Sequence, residues 1–497
     1  MKKIVIVGGG LGGLASAVTL AHAGFDVELF ERNDHFGGKL MPVQLGNHHF
    51  DFGPNTITMP EVFTKIISQT GENPQDYLDF IPLEAHTRNH FPDGSIFDFT
   101  NNQQHMISQL QTIDSQAAVN YPTFINEISR LYKLSERYFF PVTFQSWRDY
   151  LSPSLGFALF QVRPAESMHH FFQRYFTNPF LVQAFDRYAT YIGSSPYQAP
   201  ATFSMIAYLE LVDGVYYTKG GNTKIAEAFA AVAKKAGAQL HLNTAVTRII
   251  TEKGKAIGIE LQDGTSIAAD KVILNGDLLS VFPDLVEEKA RPSLSDKKIA
   301  AFEPSISAFV ITAGLTKKLG ALKHHNVFFS SDYKKEFNEL FETSTYSNEP
   351  TVYISNSSYT DPAISPDGDN LFILVNAPAL TKEGHLQIDP ESYKERIYDF
   401  LLSYDIDIRS HLVEEKIFTP AFIREKFGSF RGALYGPSSN RKKDAFLRPP
   451  NASRDIQNLY FVGGSTHPGG GSPMVVLSGW NVAKKIIEQA KKTSFSK

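Results

Sequence analysis

The chain has 497 residues, of which 42% are hydrophobic and 20% charged, with a formal net charge of −4 at pH 7 and no cysteine. That length is enough to bury a large core across more than one domain or subdomain, and a mildly acidic balance without a basic block argues against a nucleic-acid partner. The missing cysteines remove disulfides, thiolate catalysis, Fe–S clusters and cysteine zinc sites together, and fit a reducing cytosol.

Residues 4–7, IVIV, form a β-branched run suited to a strand buried on both faces. Only four apolar residues precede the glycines, too few for a signal-peptide core. No stretch approaches 18 uninterrupted apolar residues, so no bilayer-spanning helix is expected. In GGGLGG, Gly8, Gly10 and Gly13 satisfy G-x-G-x-x-G, and Leu11, Leu14, Ala15 and Val18 then mark one helical face that stops near Gly24. Gly8 permits the tight turn, Gly10 lets backbone approach a pyrophosphate, and Gly13 lets the helix pack on the strand. A second strand, 27–30, ends on Glu31, placed to accept hydrogen bonds from a ribose hydroxyl and to disfavour a phosphorylated one. This unit alone leaves NAD and FAD open. Gly37 and Gly38 follow in ERNDHFGGKL, with Lys39 behind them.

FDFGPNTITMP (50–60) is punctuated by glycine and proline, and HFPDGSIFDF (90–99) predicts a hairpin about Pro92-Asp93-Gly94. Residues 104–210 are mostly helical in pattern, and 139–185 are dense in phenylalanine. KGGNTKIAEAFAAVAKKAGAQL (219–240) predicts a helix capped by Asn222 or Thr223 and stopped at Gly237. Strands at 239–242 and 246–250, a hairpin turning at 262–265, and the buried strand KVILNGD (271–277) follow. Residues 291–445 mix strands and helices, and the last 50 return to strand, glycine loop and helix. The fold class is α/β, with a Rossmann-like dinucleotide-binding domain and a discontinuous mixed α+β substrate domain. The expected division is 1–85 with 215–290 and 445–497 for the first, and 86–214 with 291–444 for the second.

FVGGSTHPGGG (461–471) is a second glycine-rich run after an apolar strand. Val476, Trp480, Ala483 and Ile487 lie on one face of the helix beyond it, so its electropositive N-terminus would approach the other end of a dinucleotide. Gly469–Pro473 are expected to line an isoalloxazine, with Met474 starting the helix, and this second run favours FAD over NAD. No metal site is expected, because the adjacent pairs at 48–49, 169–170 and 324–325 do not face one another on helix or strand.

GGGLGG and ERNDHFGGK resemble the extended signature of the flavoproteins that include amine oxidases, protoporphyrinogen oxidases and carotenoid desaturases, although Lys39 stands where that signature usually has arginine. With FDFGPNTITMP, YIGSSPYQAP (191–200), YTKGGNTKIAEAF (217–229) and LYFVGGSTHPGGGSPMVVLSG (459–479), nearly the whole chain resembles bacterial phytoene-desaturase-type carotenoid oxidoreductases. The resemblance implies FAD as cofactor and a binding set of Gly8, Gly10, Leu11, Gly12, Gly13, Glu31, Arg32, Gly37, Gly38, Lys39, Gly53, Pro54 and Val246 from the first three-fifths of the chain. From the C-terminal loop it adds Gly463, Gly464, Gly470, Gly471, Ser472, Pro473 and Met474. GGSTHPGGGSPMV, YIGSSPYQAP and FRGALYG (430–436) are closer to the branch that oxidises a terminal methyl of a diapocarotenoid to aldehyde or acid. The His467 wording and HNVFFSSDY (325–333) are shared with, or lean toward, the desaturases, the alternative activity. An amine or protoporphyrinogen oxidase, or a non-catalytic flavin-binding isoprenoid carrier, are the readings from other classes; with two tryptophans, the ring that best faces an ammonium is scarce.

A long apolar carotenoid implies a dry channel and a peripheral position on the cytoplasmic face of the membrane. LGFALF (155–160) and HHFFQRYF (169–176) are expected to dip into that interface, with His169, His170 and Arg174 near headgroups. Asp149, in SWRDYL, matches an Arg-Asp pair of the family and is the candidate acid/base; His467 is read as a turn-ordering residue. Oligomeric state is left open.

Overall fold

The computed structural model describes residues 2–144, 153–385 and 388–495. At its centre lies a five-stranded, all-parallel sheet in the spatial order Leu459–Phe461, Lys271–Leu274, Lys3–Val7, Asp26–Phe30 and Gln239–His241. Both faces of the IVIV run are covered, which is why it is continuously apolar rather than alternating. Ile4 and Ile6 face the helices Leu11–His22, Lys224–Lys235 and Ser472–Phe495. Val5 and Val7 face Ile249, Ala256 and Ile259 of a three-stranded antiparallel sheet formed by residues 246–268.

A second, seven-stranded sheet runs Leu412–Phe418, Ser307–Leu315, Asn370–Ala377, Val352–Asn356, His325–Phe328, Ala85–His90 and Ile96–Thr100. It is antiparallel except where His325–Phe328 meets Ala85–His90. The expected hairpin over 90–99 forms its edge, with Asp93 accepting from the Ser95 N–H at 2.9 Å to close the turn. Against this sheet packs a helical layer that includes Gln103–Ile113, Ser115–Tyr138 and Pro179–Asp186.

Two local expectations are corrected. Neither Asn222 nor Thr223 caps the helix Lys224–Lys235 with its side chain. Asp51, from the strand His48–Phe52, accepts from the N–H groups of Asn222 (2.8 Å) and Thr223 (3.0 Å). The Asn222 side chain instead closes its own turn, accepting from Thr218 N–H and donating to Asn55 O. The phenylalanines of HHFFQRYF do not face outward: Phe171, Phe172 and Phe176 are buried around Phe124 and Phe185, while His170, Gln173 and Arg174 are exposed. A run this rich in aromatic carbon found enough partners to make a core of its own. By contrast, on the helix Pro153–Gln161, Phe157 is 67% exposed and Phe160 is 88% exposed.

The helices Leu11–His22 and Ser472–Phe495 cross glycine on glycine. A Cβ at Gly479 would stand 2.0 Å from Gly12 O, and Ser16 Oγ lies within hydrogen-bond reach of both Gly12 O (2.9 Å) and Gly479 O (3.0 Å). Gly479→Ala is therefore expected to cost about 1–3 kcal/mol in chemical denaturation and to reduce bound cofactor. Gly156→Ala, whose Cβ would meet nothing within 4 Å, is expected to be neutral or stabilising.

Candidate cofactor site

The site is built where the first strand ends. Gly8 turns the chain at φ +103°, and a Cβ there would sit 2.6 Å from Asn275 O. The helix Leu11–His22 then begins at Gly10 without a side-chain cap, so among the described residues no side chain caps the first-turn N–H groups of Leu11, Gly12 and Gly13. Glu31 is buried, with one oxygen accepting from Gly9 N–H (2.7 Å) and the other from Asn33 N and Nδ2 (2.9 Å each). A carboxylate has about four acceptor positions, which leaves room for a hydroxyl.

Gly37 and Gly38 close over the first loop. Gly37 N–H donates to Gly9 O at 2.9 Å, and a Cβ at Gly38 would stand 3.2 Å from Gly10 Cα. Behind them a Cβ at Gly53 would stand 2.2 Å from Lys39 O, with the half-buried Pro54 next in sequence. The Lys39 ammonium donates to Ala433 O and Leu434 O rather than running along the glycine turn. Burial lowers its pKa to about 8, against the attraction of Asp277. Arg32 donates to Glu425 O (2.9 Å) and Lys426 O (2.8 Å), tying this loop to the segment before FRGALYG. Val246 opens the strand Val246–Glu252, two residues after Thr244, whose N–H donates to Glu31 O at 2.9 Å.

The C-terminal loop arrives at the same place. Its strand is Leu459–Phe461, and Val462 N–H still reaches Leu274 O. The following helix begins at Ser472 rather than Met474, with Pro473 in its first turn, where a missing N–H costs nothing. Gly463 N–H donates to Ser478 Oγ at 3.3 Å, a Cβ on Gly464 would touch Gly470 Cα at 3.5 Å, and Val475 N–H donates to Gly471 O at 3.0 Å. His467, buried, donates from Nε2 to Phe139 O at 2.7 Å and meets the Phe144 ring edge-on at 4.5 Å. Burial lowers its pKa to about 4, so it stays neutral and orders the loop, as read from sequence.

Several residues that hold the site were missed in sequence. Asn275 donates to Gly8 O at 3.1 Å, while its Oδ1 is 2.8 Å from the position of a Cβ on Gly12 and 3.3 Å from one on Gly463. It is the wedge between the two glycine loops. Asp277 accepts from Leu279 N–H and Phe430 N–H, both at 3.0 Å, and burial raises its pKa despite the pull of Lys39. Arg448 donates to Gly464 O (2.9 Å) and Tyr435 O (3.3 Å), with its pKa lowered by burial to about 10. For Asn275 and Asp277 the available signal was polar residues ending the buried strand KVIL; Arg448 has no such signal. Asp149 lies outside the described residues.

Uncapped helix N–H groups, an acid with spare acceptor positions and paired glycines that a Cβ would fill fit a dinucleotide with a flat ring at its far end. Such a sheet with two glycine loops defines an FAD-binding oxidoreductase of Rossmann-like fold. Residues 11–487 match the family described as flavin-containing amine oxidoreductase. Over 492 residues the chain is 32% identical to a 4,4'-diaponeurosporene oxygenase of Staphylococcus haemolyticus, covering 98% of this chain and 97% of that one. It is 34% identical to a 4,4'-diapolycopene oxygenase of a Methylomonas species, covering 98% of each. Cyclohexylamine oxidase from Brevibacterium oxydans shares the fold, with a TM-score of 0.63 at 15% identity over 99% of both chains. The chain belongs to the flavin-containing amine oxidoreductase family and is an FAD-dependent enzyme.

The neutral His467 carries a pH signature. Its pKa is depressed in the folded state, so its contribution to stability is complete above the unfolded value of about 6.5 and is lost as pH falls through about 4. Between pH 7.5 and 5 this loop histidine should account for about 2 kcal/mol of lost stability. His467→Gln, which keeps a donor for Phe139 O and cannot titrate, is expected to flatten that slope in urea denaturation at the two pH values.

Proposed function

We propose that this protein is an FAD-dependent carotenoid oxygenase that oxidises the terminal methyl group of a diapocarotenoid to the aldehyde or acid. The observation that carries the reading is full-length identity of 32% and 34% to relatives named as oxygenases of 4,4'-diaponeurosporene and 4,4'-diapolycopene. Solved neighbours such as the amine oxidases, at 15% identity or less, share the scaffold alone.

In this reading the N–H groups of Leu11, Gly12 and Gly13 hold the pyrophosphate, and Glu31, flanked by Arg32 and Val246, holds the adenosine ribose. Gly37, Gly38, Lys39, Gly53 and Pro54 pack along the cofactor, and Gly463, Gly464 and residues 470–474 lie against its ring system. Flavin supplies the electron sink that no side chain offers for C–H oxidation. The protein positions a substrate that has no hydrogen-bonding groups, and Asp149 is the proposed acid/base. The cofactor domain comprises 1–85, 215–290 and 445–497, and the substrate domain 86–214 with 291–444.

The membrane face of the molecule is the helix Pro153–Gln161, whose Phe157 and Phe160 project into solvent beside a largely buried aromatic core. Among the described residues no helix is long and apolar enough to cross a membrane; the contact in this reading is peripheral, on the cytoplasmic leaflet. In liposome flotation the protein is expected to rise with the lipid, and a Phe157→Ser/Phe160→Ser double variant to stay in the soluble fraction; equal flotation of the two removes this helix from the contact. For activity, the gene is expressed in cells that accumulate diapolycopene and in cells that accumulate diapophytoene. A terminal aldehyde or acid in the first is the expected result, whereas longer conjugation in the second, without oxygenated pigment in the first, would replace this reading with desaturation.

A further inference from the structure

Within the helical layer lies a polar cluster that a purely hydrocarbon ligand does not explain. Glu210, fully buried on the single wide turn Leu209–Asp213, accepts hydrogen bonds from the hydroxyls of Tyr188 (3.1 Å) and Tyr191. Beside it Arg187, 7% exposed, holds its Nη2 at 3.8 Å from Glu210 Oε2, an ion pair without a hydrogen bond. The one hydrogen bond its guanidinium makes is long, from Nη1 to Tyr191 OH at 3.5 Å; buried Nε and Nη2 have no hydrogen-bond partner among the described residues. The same holds for Nε2 of His86 and of His325, both fully buried.

A guanidinium has five N–H donors in a rigid fork. Withdrawing that fork from water without an acceptor is costly, and Glu210 neutralises the charge without filling the donors.

The cluster's position narrows what fills them. His325 is hydrogen-bonded through Nδ1 to Tyr353 OH at 2.8 Å, and Tyr353 lies near Thr56, three residues beyond Gly53. On its other side, Tyr188 stacks on Phe99 and His86 lies against the same ring, at the border of the phenylalanine core. The donors thus stand between a segment of the cofactor site and the most apolar part of the molecule.

We propose that Arg187, backed by Glu210, is a subsite for the oxygenated terminus of the polyene, accepting the carbonyl or carboxylate oxygen that oxidation installs. The inference rests on the oxygenase reading above and deepens it: hydrocarbon and oxygenated chains are told apart by an oxygen acceptor, and the fork holds the oxygenated end. Arg187 is a binding residue here.

The test uses the FAD-loaded protein, a thirty-carbon conjugated polyene carrying one terminal aldehyde, and the parent hydrocarbon. Hydrogen bonding to a cation red-shifts the visible band of a conjugated aldehyde and leaves the hydrocarbon's unchanged. Wild-type protein is expected to give that shift. An Arg187→Gln/Glu210→Gln variant removes both charges together, so that neither is left buried and unpaired. It is expected to abolish the shift and to lower the ratio of aldehyde to hydrocarbon kcat/KM at least about tenfold. Arg187→Lys, which keeps the charge and loses the fork, should give a smaller fall and serves where the double variant does not fold, as judged by bound flavin. An unshifted band in wild type, with water filling the fork, overturns the subsite, as does a shift that survives in the variants. A shift in wild type that oxidises neither compound supports the subsite and defeats the oxygenase reading instead.

Discussion

Everything at the cofactor site depends on how near two helices can come. The Gly12–Gly479 crossing lets the helices Leu11–His22 and Ser472–Phe495 touch backbone to backbone, and Asn275 then wedges the loops in front of them. Any side chain at the crossing would push the helix axes apart. Two glycine loops, drawn from distant parts of the sequence, are thereby set side by side at the carboxyl ends of the parallel strands Lys3–Val7 and Leu459–Phe461, which flank Lys271–Leu274. The glycine loops are thus parts of one cradle.

The second region is fastened to that cradle by charge buried away from water. Lys39, Asp277 and Arg448 converge on residues 430–437, making hydrogen bonds to main-chain atoms of Phe430, Ala433, Leu434 and Tyr435. The charged groups are held by backbone dipoles and by one another's fields, which offsets part of their desolvation. Each group's pKa is displaced by burial, which marks how dry the junction is. A junction of this kind fixes orientation, because a slip of one residue would leave a cation without its carbonyls.

What could be seen in the sequence was what local rules control. The IVIV strand, the G-x-G-x-x-G turn and the 90–99 hairpin follow from periodicity and turn chemistry, and the structure has them where expected. The interior character of Phe171, Phe172 and Phe176 was not visible, since the same composition serves a core or an interface until the partners Phe124 and Phe185 are known. Likewise the helix at 224–235 is capped by Asp51, some 170 residues earlier, and no local pattern announces a cap that comes from another strand. Within the site, glycines were readable because their role is steric. Asn275, Asp277 and Arg448 were not, because their role is to hold a neighbour that only the fold supplies.

The order of the parallel sheet also sets a timetable. The strand Leu459–Phe461 joins through Lys271–Leu274 to the strand Lys3–Val7, made some 450 residues earlier, and the helix at 472–495 supplies one wall of the cradle. On a growing chain the first glycine loop can fold against its neighbours long before the second exists. The cradle proposed for the cofactor is therefore complete only after the helix Ser472–Phe495 has been made. Until then the crossing face of the first helix has no partner, and the nascent protein must wait with its most closely fitted surface open.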